Sequence, residues 1–215
     1  MKNIKIHNYA SGLYFFVITI ISILISFSLN YLFLFDSIYF QSFGEKLATD
    51  RITKIIEQSH KWQWLGYLFI PIVVLLRVSF TTICLYTGFF LANFKVRFKD
   101  LFKVALLADF VFVLAGIVKL VILIFFKEVS TLNDIQFQPL SIIEVFDRTK
   151  VDAMLLYPLS LISVFELLYW LVLAWLLTGL VEKPFGNSLK TVATSYGTGL
   201  ALWVLFVMFL TVNLT

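Results

Sequence analysis

The sequence predicts an all-α fold: a polytopic membrane helical bundle with five transmembrane helices, which forms a single transmembrane domain over residues 1–215. Two observations lead to this fold class. First, 60% of the 215 residues are apolar, only 14% are charged, and the mean hydropathy is +0.94. An average soluble domain is about half apolar and a quarter charged, so a water-soluble globule of this composition would lack polar side chains to cover its surface. The composition therefore excludes soluble, nucleic-acid-binding and disordered proteins.

The second observation is that the apolar residues are gathered into five long runs. Crossing the hydrocarbon core of a bilayer takes roughly 20 helical residues, and every run is long enough. The runs are continuous rather than alternating, and each is about twice as long as the roughly 10 residues of a membrane β-strand, which excludes a barrel. The predicted spans are 13–35, 64–92, 104–126, 153–181 and 191–212.

The distribution of lysine and arginine predicts that the N-terminus lies in the cytoplasm. With that orientation, the short inner segments 1–12, 93–103 and 182–190 carry eight basic residues, whereas the longer outer loops 36–63 and 127–152 carry seven. Basic residues concentrate in the cytoplasmic loops of membrane proteins, and five spans then place the C-terminus outside. We expect the protein in a bacterial cytoplasmic (inner) membrane.

The densest basic segment follows the second span and suits the anionic lipids of a cytoplasmic leaflet. The alternative, which we favour, is that these charges fix the orientation and do nothing more. Lys2 and Lys5 add positive charge before the first span. The residues predicted to contact anionic lipid are Lys95, Arg97, Lys99 and Lys103.

Both outer loops show signs of helical structure. In the first, aliphatic residues that include Ile52, Ile55 and Ile56 recur at helical spacing, which predicts an amphipathic helix on the outer membrane interface. In the second, Ser141 and Glu144 have the spacing of a capping box, which predicts the start of a short helix. These helices either pack against the end of the bundle, the alternative we favour, or offer a docking surface to a partner.

Four ionisable residues fall inside the predicted spans: Arg77, Asp109, Lys119 and Glu166. A lone charge at mid-bilayer costs roughly 3 kcal/mol on insertion scales, so pairing is expected. Arg77 and Glu166 lie at matching depth and are the best-matched pair, Asp109 could share the Arg77 guanidinium, and Lys119 could extend toward the outer surface. The four residues form either a polar pathway or a structural ion pair that determines which helices lie next to each other. Their charges sum to zero, which favours the structural alternative.

Small and polar residues predict how the helices pack. On the fifth span, Ala193, Gly197 and Ala201 form a row at four-residue spacing that would let another backbone approach closely. Inward-facing stripes are predicted on the first two spans. Their members are Thr19, Ser22, Ser26 and Asn30 on the first, and Arg77, Thr81, Cys84 and Gly88 on the second.

Several segments from Gly88 onward resemble the Yip family of five-span membrane proteins and their bacterial relatives. These segments are 88–103, which contains Phe98-Lys99-Asp100-Leu101-Phe102, then Pro139-Leu140-Ser141-Ile142, Val164-Phe165-Glu166-Leu167-Leu168-Tyr169-Trp170 and Ser188-Leu189-Lys190. The resemblance implies a non-enzymatic helical bundle with a cytoplasmic N-terminus. This chain lacks the long cytoplasmic N-terminal region of the eukaryotic members, and its first loop is longer than the family resemblance leads us to expect.

The functional expectation is a non-enzymatic scaffold or accessory subunit whose partners are the lipid bilayer and other membrane proteins. The alternative is a small transporter or channel subunit with a polar pathway lined by Arg77, Asp109 and Glu166. No catalytic motif occurs in the sequence, and His7 and His60 lie on opposite sides of the predicted membrane. We therefore expect no enzyme activity, no metal or other cofactor and no nucleic-acid partner.

Overall fold

The computed structural model describes residues 11–44, 47–148 and 150–214 of the chain. It is all-helical, with 82% of the described residues in helices, and no strand occurs in the described parts of the chain. Five helical segments are long and apolar enough to cross a membrane. The prediction of five spans from the apolar runs is confirmed at this level.

The first half of the described chain contains one short helix and three long segments. Helix α1 is Ser11–Phe33, α2 is Asp36–Phe43 and α3 is Thr49–Leu91. Helices α4 (Phe98–Ala108) and α5 (Phe110–Phe125) follow each other across Asp109 and together form one span.

The second half begins with α6, Leu132–Ile135, and a single 3₁₀ turn, Ile142–Val145. Helices α7 (Ala153–Leu161) and α8 (Val164–Val181) are separated by two residues. Helix α9 (Phe185–Val192) continues through a π-helical turn, Ala193–Gly197, into α10 (Thr198–Leu214). We call the end of the bundle with α2, α6 and the 3₁₀ turn the long-loop end, and the end with segments 92–97 and 182–184 the short-loop end.

The fourth predicted span, 153–181, is wrong as a single helix. The chain leaves helical geometry at Ile162 and Ser163, where it pairs with the loop before the 3₁₀ turn: the Ile142 N–H donates to the Ile162 carbonyl (2.9 Å) and the Val164 N–H to the Leu140 carbonyl (3.0 Å). The spanning helix is therefore α8 alone, whose 18 residues are about 27 Å long. The Ser163 hydroxyl caps it by accepting a hydrogen bond from the Glu166 N–H at 3.1 Å.

The predicted helix in the first outer loop is not a separate element. Helix α3 begins at Thr49 and continues without a break into the second span. Residues 49–63 form a polar segment, which we call the α3 extension, about 22 Å long. Ile52 and Ile56 are buried against Tyr39 of α2, as their spacing indicated, but Ile55 is 36% exposed.

The capping box predicted at Ser141 and Glu144 is also wrong, although a short helical turn does follow Ser141. The Ser141 hydroxyl donates instead toward the carbonyls of Leu159 and Ser160, each at 3.0 Å. The break after α7 leaves carbonyls without helical partners, and the Ser141 hydroxyl is a donor to these carbonyls rather than a helix cap. Among the described residues, a capping box forms at Thr131, which starts α6.

Partial burial by itself raises the pKa of the Asp134 carboxyl in this capping box, but hydrogen bonds and a nearby positive charge together lower it by more. Hydrogen bonds from Thr131 and Ser130 favour the charged carboxylate, and so does the charge of Lys127. The Lys127 ammonium lies 3.6 Å from an Asp134 oxygen. The resulting pKa lies below the ordinary value, so this carboxylate helps to hold the long-loop end together when it is charged.

Two apolar clusters hold the spans together. The larger one centres on Tyr169 and Leu173 of α8, which are fully buried against α3, α4 and α9. The smaller one surrounds Ile18, where α1 packs against α3 and α4. Many other apolar side chains remain exposed on the outer surfaces of the helices, as expected for helices that face lipid.

Candidate functional site

The most polar part of the interior is an ion pair between α3 and the junction of α4 and α5. The Arg77 guanidinium donates to both oxygens of Asp109, with Nε–Oδ1 at 2.6 Å and Nη2–Oδ2 at 2.7 Å. This two-point geometry is the strongest form of a charge-assisted hydrogen bond. The Asp109 side chain is completely buried and that of Arg77 is one-third exposed.

Asp109 reaches this position because it lies where the helix is interrupted. Its N–H donates to the Ala105 carbonyl at 3.0 Å, and its own carbonyl accepts from the Phe112 N–H, also at 3.0 Å. The second bond spans three residues, as in a 3₁₀ turn, which tightens the chain locally. The same turn places the Phe112 ring beneath the Arg77 guanidinium, 4.2 Å from the ring centre, where a cation–π attraction adds to the ion pair.

Glu166 is held by two other donors. The indole N–H of Trp170 and the hydroxyl of Tyr196 both donate to Glu166 Oε1, at 3.0 and 2.9 Å. Trp170 lies one helical turn further along α8, and Tyr196 is contributed by the π-helical turn. A buried carboxylate with two such donors is partly compensated without a cation.

The predicted pairing of Arg77 with Glu166 is therefore wrong. The ion pairs among the described residues include Arg77 with Asp109 and none between Arg77 and Glu166. The depth of Glu166 was counted along an unbroken helix from residue 153, whereas the spanning helix begins only at Val164. Asp109, which was expected to share Arg77, takes the guanidinium by itself.

Aromatic rings join the two carboxylate sites. The Tyr169 hydroxyl donates to Thr81 Oγ1 at 2.9 Å, and the Tyr169 ring lies 4.8 Å from Phe112 and 5.5 Å from Tyr196, between ring centres. Sequence reasoning missed these aromatic residues. The only signal for them was the four-residue spacing of Glu166 and Trp170, which places both on one helix face.

Among the described residues, Lys119 forms no ion pair with this cluster. It lies on α5 and lines a cavity of about 240 Å³ that also contains Glu166. The charges that act on Lys119 are those of Arg148, Glu144 and Lys127, all from the long-loop end. Of the four predicted charges, the structure thus pairs Arg77 with Asp109, leaves Glu166 with aromatic donors, and places Lys119 in a cavity without an ion pair to any described residue.

The predicted row of Ala193, Gly197 and Ala201 does not form one packing seam. The π-helical turn includes an extra residue, which rotates the later residues relative to the earlier ones, and Ala193 and Ala201 are both exposed. Gly197 does lie at a close contact, but with a side chain: a Cβ added there would be 2.6 Å from the Trp170 ring.

The closest approaches between helices involve other glycines. A Cβ at Gly88 would lie 2.3 Å from Ser195 Cβ, and one at Gly199 would lie 2.3 Å from the Cys84 sulfur. The second-span stripe of Arg77, Thr81, Cys84 and Gly88 therefore faces inward as predicted. On the first span, Thr19 is buried and the Asn30 amide donates to the Tyr67 hydroxyl at 3.0 Å.

The predicted lipid-contacting residues lie at the short-loop end. Lys95, Arg97 and Lys99 are exposed and Lys103 is half-buried. Arg97 donates to Asp100 through Nε and Nη2, at 2.7 and 3.1 Å. Lys2 and Lys5, which belong to the inner basic residues that predict the orientation, and His7 lie outside the described residues.

Comparisons with known protein families, curated proteins and solved structures find no match for this chain.

Proposed function

We propose that the protein is a non-enzymatic integral membrane protein that acts as a scaffold or accessory subunit of a membrane complex. The observation that supports this proposal is the α3 extension, which continues a spanning helix by about 22 Å. Helix α2 and Leu132 of α6 pack against it around Ile52 and Ile56. An ordered projection of this kind provides a surface for a partner at the long-loop end.

The intramembrane charges also support a structural role. Asp109 is neutralised by Arg77 through two short hydrogen bonds, and Glu166 accepts from Trp170 and Tyr196. A buried ion pair that is broken leaves an uncompensated charge, so such a pair selects one arrangement of helices. In this proposal, the pair specifies that α3 lies beside the α4–α5 junction.

Purification from native membranes in a mild detergent tests the scaffold proposal. A partner in a fixed molar ratio is expected with the wild-type chain, and an Ile55→Glu variant, which alters the exposed face of the α3 extension, is expected to lose it. The matched control is Phe16→Ala, which removes an exposed side chain from α1 and should retain the partner. Loss of the partner only in the control would contradict a role of the extension.

We further propose the orientation that the basic residues predict, with the short-loop end in the cytoplasm and the long-loop end outside. Cysteine labelling tests it in a Cys84→Ala background. A membrane-impermeant maleimide should label Ile55→Cys in intact cells and should label Lys95→Cys only after permeabilisation. The reverse pattern would overturn the orientation, and with it the location of the α3 extension.

A transport or channel function is the second candidate, and two neighbouring cavities favour it. Arg77 lines a cavity of about 330 Å³, and Glu166 lines the cavity of about 240 Å³ described above. Phe112 and Gly116 line both cavities. Proton and ion flux in liposomes that contain the purified protein distinguishes the candidates. The scaffold proposal expects no flux above that of empty liposomes. A flux that Glu166→Gln abolishes while the protein remains folded would favour transport.

A further inference from the structure

The cavity that contains Lys119 has the chemistry of an anion site. It measures about 240 Å³ and combines an ammonium group with the polar residues Gln138, Ser160 and Ser163. The Glu166 carboxylate also lines it, but its Oε1 accepts from Trp170 and Tyr196. Within the described segments, no carboxylate lies within 4.0 Å of the Lys119 ammonium. Lys119 is therefore a half-buried cation without an ion-pair partner, which is costly unless a ligand or solvent compensates it.

Charged side chains of both signs surround this cation. Arg148, Lys127 and Glu144 lie near enough to act on the charge of Lys119, and Glu166 lines the same cavity. Glu144 is already engaged, since it forms an ion pair with Arg148 and accepts from the Gln138 N–H at 2.9 Å. Lys127 is paired with Asp134. These carboxylates are therefore engaged with other groups, and Lys119 forms no ion pair with any of them among the described residues.

A second cavity adjoins the first toward the long-loop end. It measures about 320 Å³, is lined by Arg148, Asn133 and Tyr157, and shares Gln138 and Ser160 with the cavity of Lys119. Its lining therefore adds a guanidinium and neutral hydrogen-bonding groups beside the ammonium. Phosphate groups, with several acceptor oxygens, match such donors.

The depth of Lys119 matches the level of lipid headgroups. The span Phe98–Phe125 has 28 residues, about 42 Å, while the hydrocarbon core is about 30 Å thick and the bilayer with headgroups about 40–45 Å. A centred helix extends roughly 6 Å beyond the hydrocarbon on each side, and the Lys119 backbone is about 9 Å from the end of α5. Its side chain, long enough to extend outward, therefore reaches the headgroup layer.

We propose that this cavity binds the phosphate of an anionic lipid through the Lys119 ammonium, with Gln138, Ser160 and Ser163 as neutral hydrogen-bonding neighbours. The phosphate would compensate the unpaired ammonium. The acyl chains would remain against the apolar surfaces of the spans. This lipid site lies at the long-loop end, opposite the exposed basic residues of the short-loop end.

Lipid titration of the purified protein in a neutral detergent tests this inference. Phosphatidylglycerol should raise the unfolding temperature more than phosphatidylcholine does, because a bound ligand stabilises the folded state. Lys119→Met should weaken the apparent affinity for phosphatidylglycerol about tenfold or more, the effect of one charge-assisted hydrogen bond. Lys119→Arg should retain binding. The matched control is Lys54→Met, which removes an exposed lysine of the α3 extension and should change nothing.

Several results would overturn the proposal. Equal stabilisation by the two lipids, or full phosphatidylglycerol binding by a folded Lys119→Met protein, would show that Lys119 does not recognise the headgroup. Stabilisation by inorganic phosphate as strong as that by the lipid would assign the site to a soluble anion instead. If Lys119→Met does not fold, native mass spectrometry of Lys119→Arg and the wild type tests whether the lipid is bound. Failure of both proteins to retain phosphatidylglycerol would refute the site.

Discussion

Replacing Arg77 by methionine isolates the ion pair in the membrane interior. The variant keeps an unbranched apolar side chain but leaves Asp109, which is 0% exposed, without its cation. Breaking a buried pair in this way costs about 3–5 kcal/mol, a large part of the roughly 5–15 kcal/mol that stabilises an ordinary folded domain. At about 2–4 °C per kcal/mol for a chain of this size, the unfolding temperature in mild detergent should fall by roughly 6–20 °C.

Two double variants decide which residue is the energetic partner of Arg77. Arg77→Met with Asp109→Ala removes both charges, and most of the lost stability should return, less about 1 kcal/mol for the smaller side chain. Arg77→Met with Glu166→Gln should remain as unstable as the single variant, because Asp109 stays charged and alone. Rescue by Glu166→Gln equal to that by Asp109→Ala would refute the pairing derived from the structure.

Two further predictions concern packing and pH. Gly88→Ala should destabilise the protein by about 1–3 kcal/mol because the new Cβ would lie 2.3 Å from Ser195 Cβ. The control on the same helix is Gly66→Ala, whose new Cβ has no atom within 4 Å and which should stabilise the protein by about 0.5–1 kcal/mol. Thermal unfolding measures both changes. The lowered pKa of Asp134 means that its charged form contributes stability above the ordinary pKa, and that this contribution disappears as the pH falls through the lower folded value. Asp134→Asn should therefore flatten the loss of stability below about pH 4, and an unchanged acid profile would contradict this role.

The spans could be predicted from the sequence because the bilayer imposes a length and a composition on every crossing helix. Four of the five apolar runs correspond to helical segments that begin and end near or beyond the predicted limits. The inward stripe from Arg77 to Gly88 was also predictable, since polar and small residues at helical spacing avoid lipid. These inferences need only the period of the helix and the solvent around it.

The partners of the charges could not be predicted in the same way, because they depend on where helices stop. Counting residues gave Arg77 and Glu166 the same depth, but the break at Ile162 and Ser163 moves Glu166 to the first turn of α8. The break itself has a weak signal in the sequence. Pro158 reduces helical bonding nearby, but the loop that satisfies the freed backbone comes from a distant segment, Leu140 and Ile142.

Helix interruptions position three polar groups of the central cluster, by which we mean the hydrogen-bonded groups around Asp109 and Glu166. Asp109 lies at the junction of α4 and α5, Glu166 follows the break before α8, and Tyr196 belongs to the π-helical turn. In lipid, each interruption is costly unless the freed backbone groups find partners, and at the start of α8 the Glu166 N–H finds one in the Ser163 hydroxyl. The interruptions therefore determine which side chains meet, and a regular five-helix bundle with the same sequence would not bring Tyr196 to Glu166.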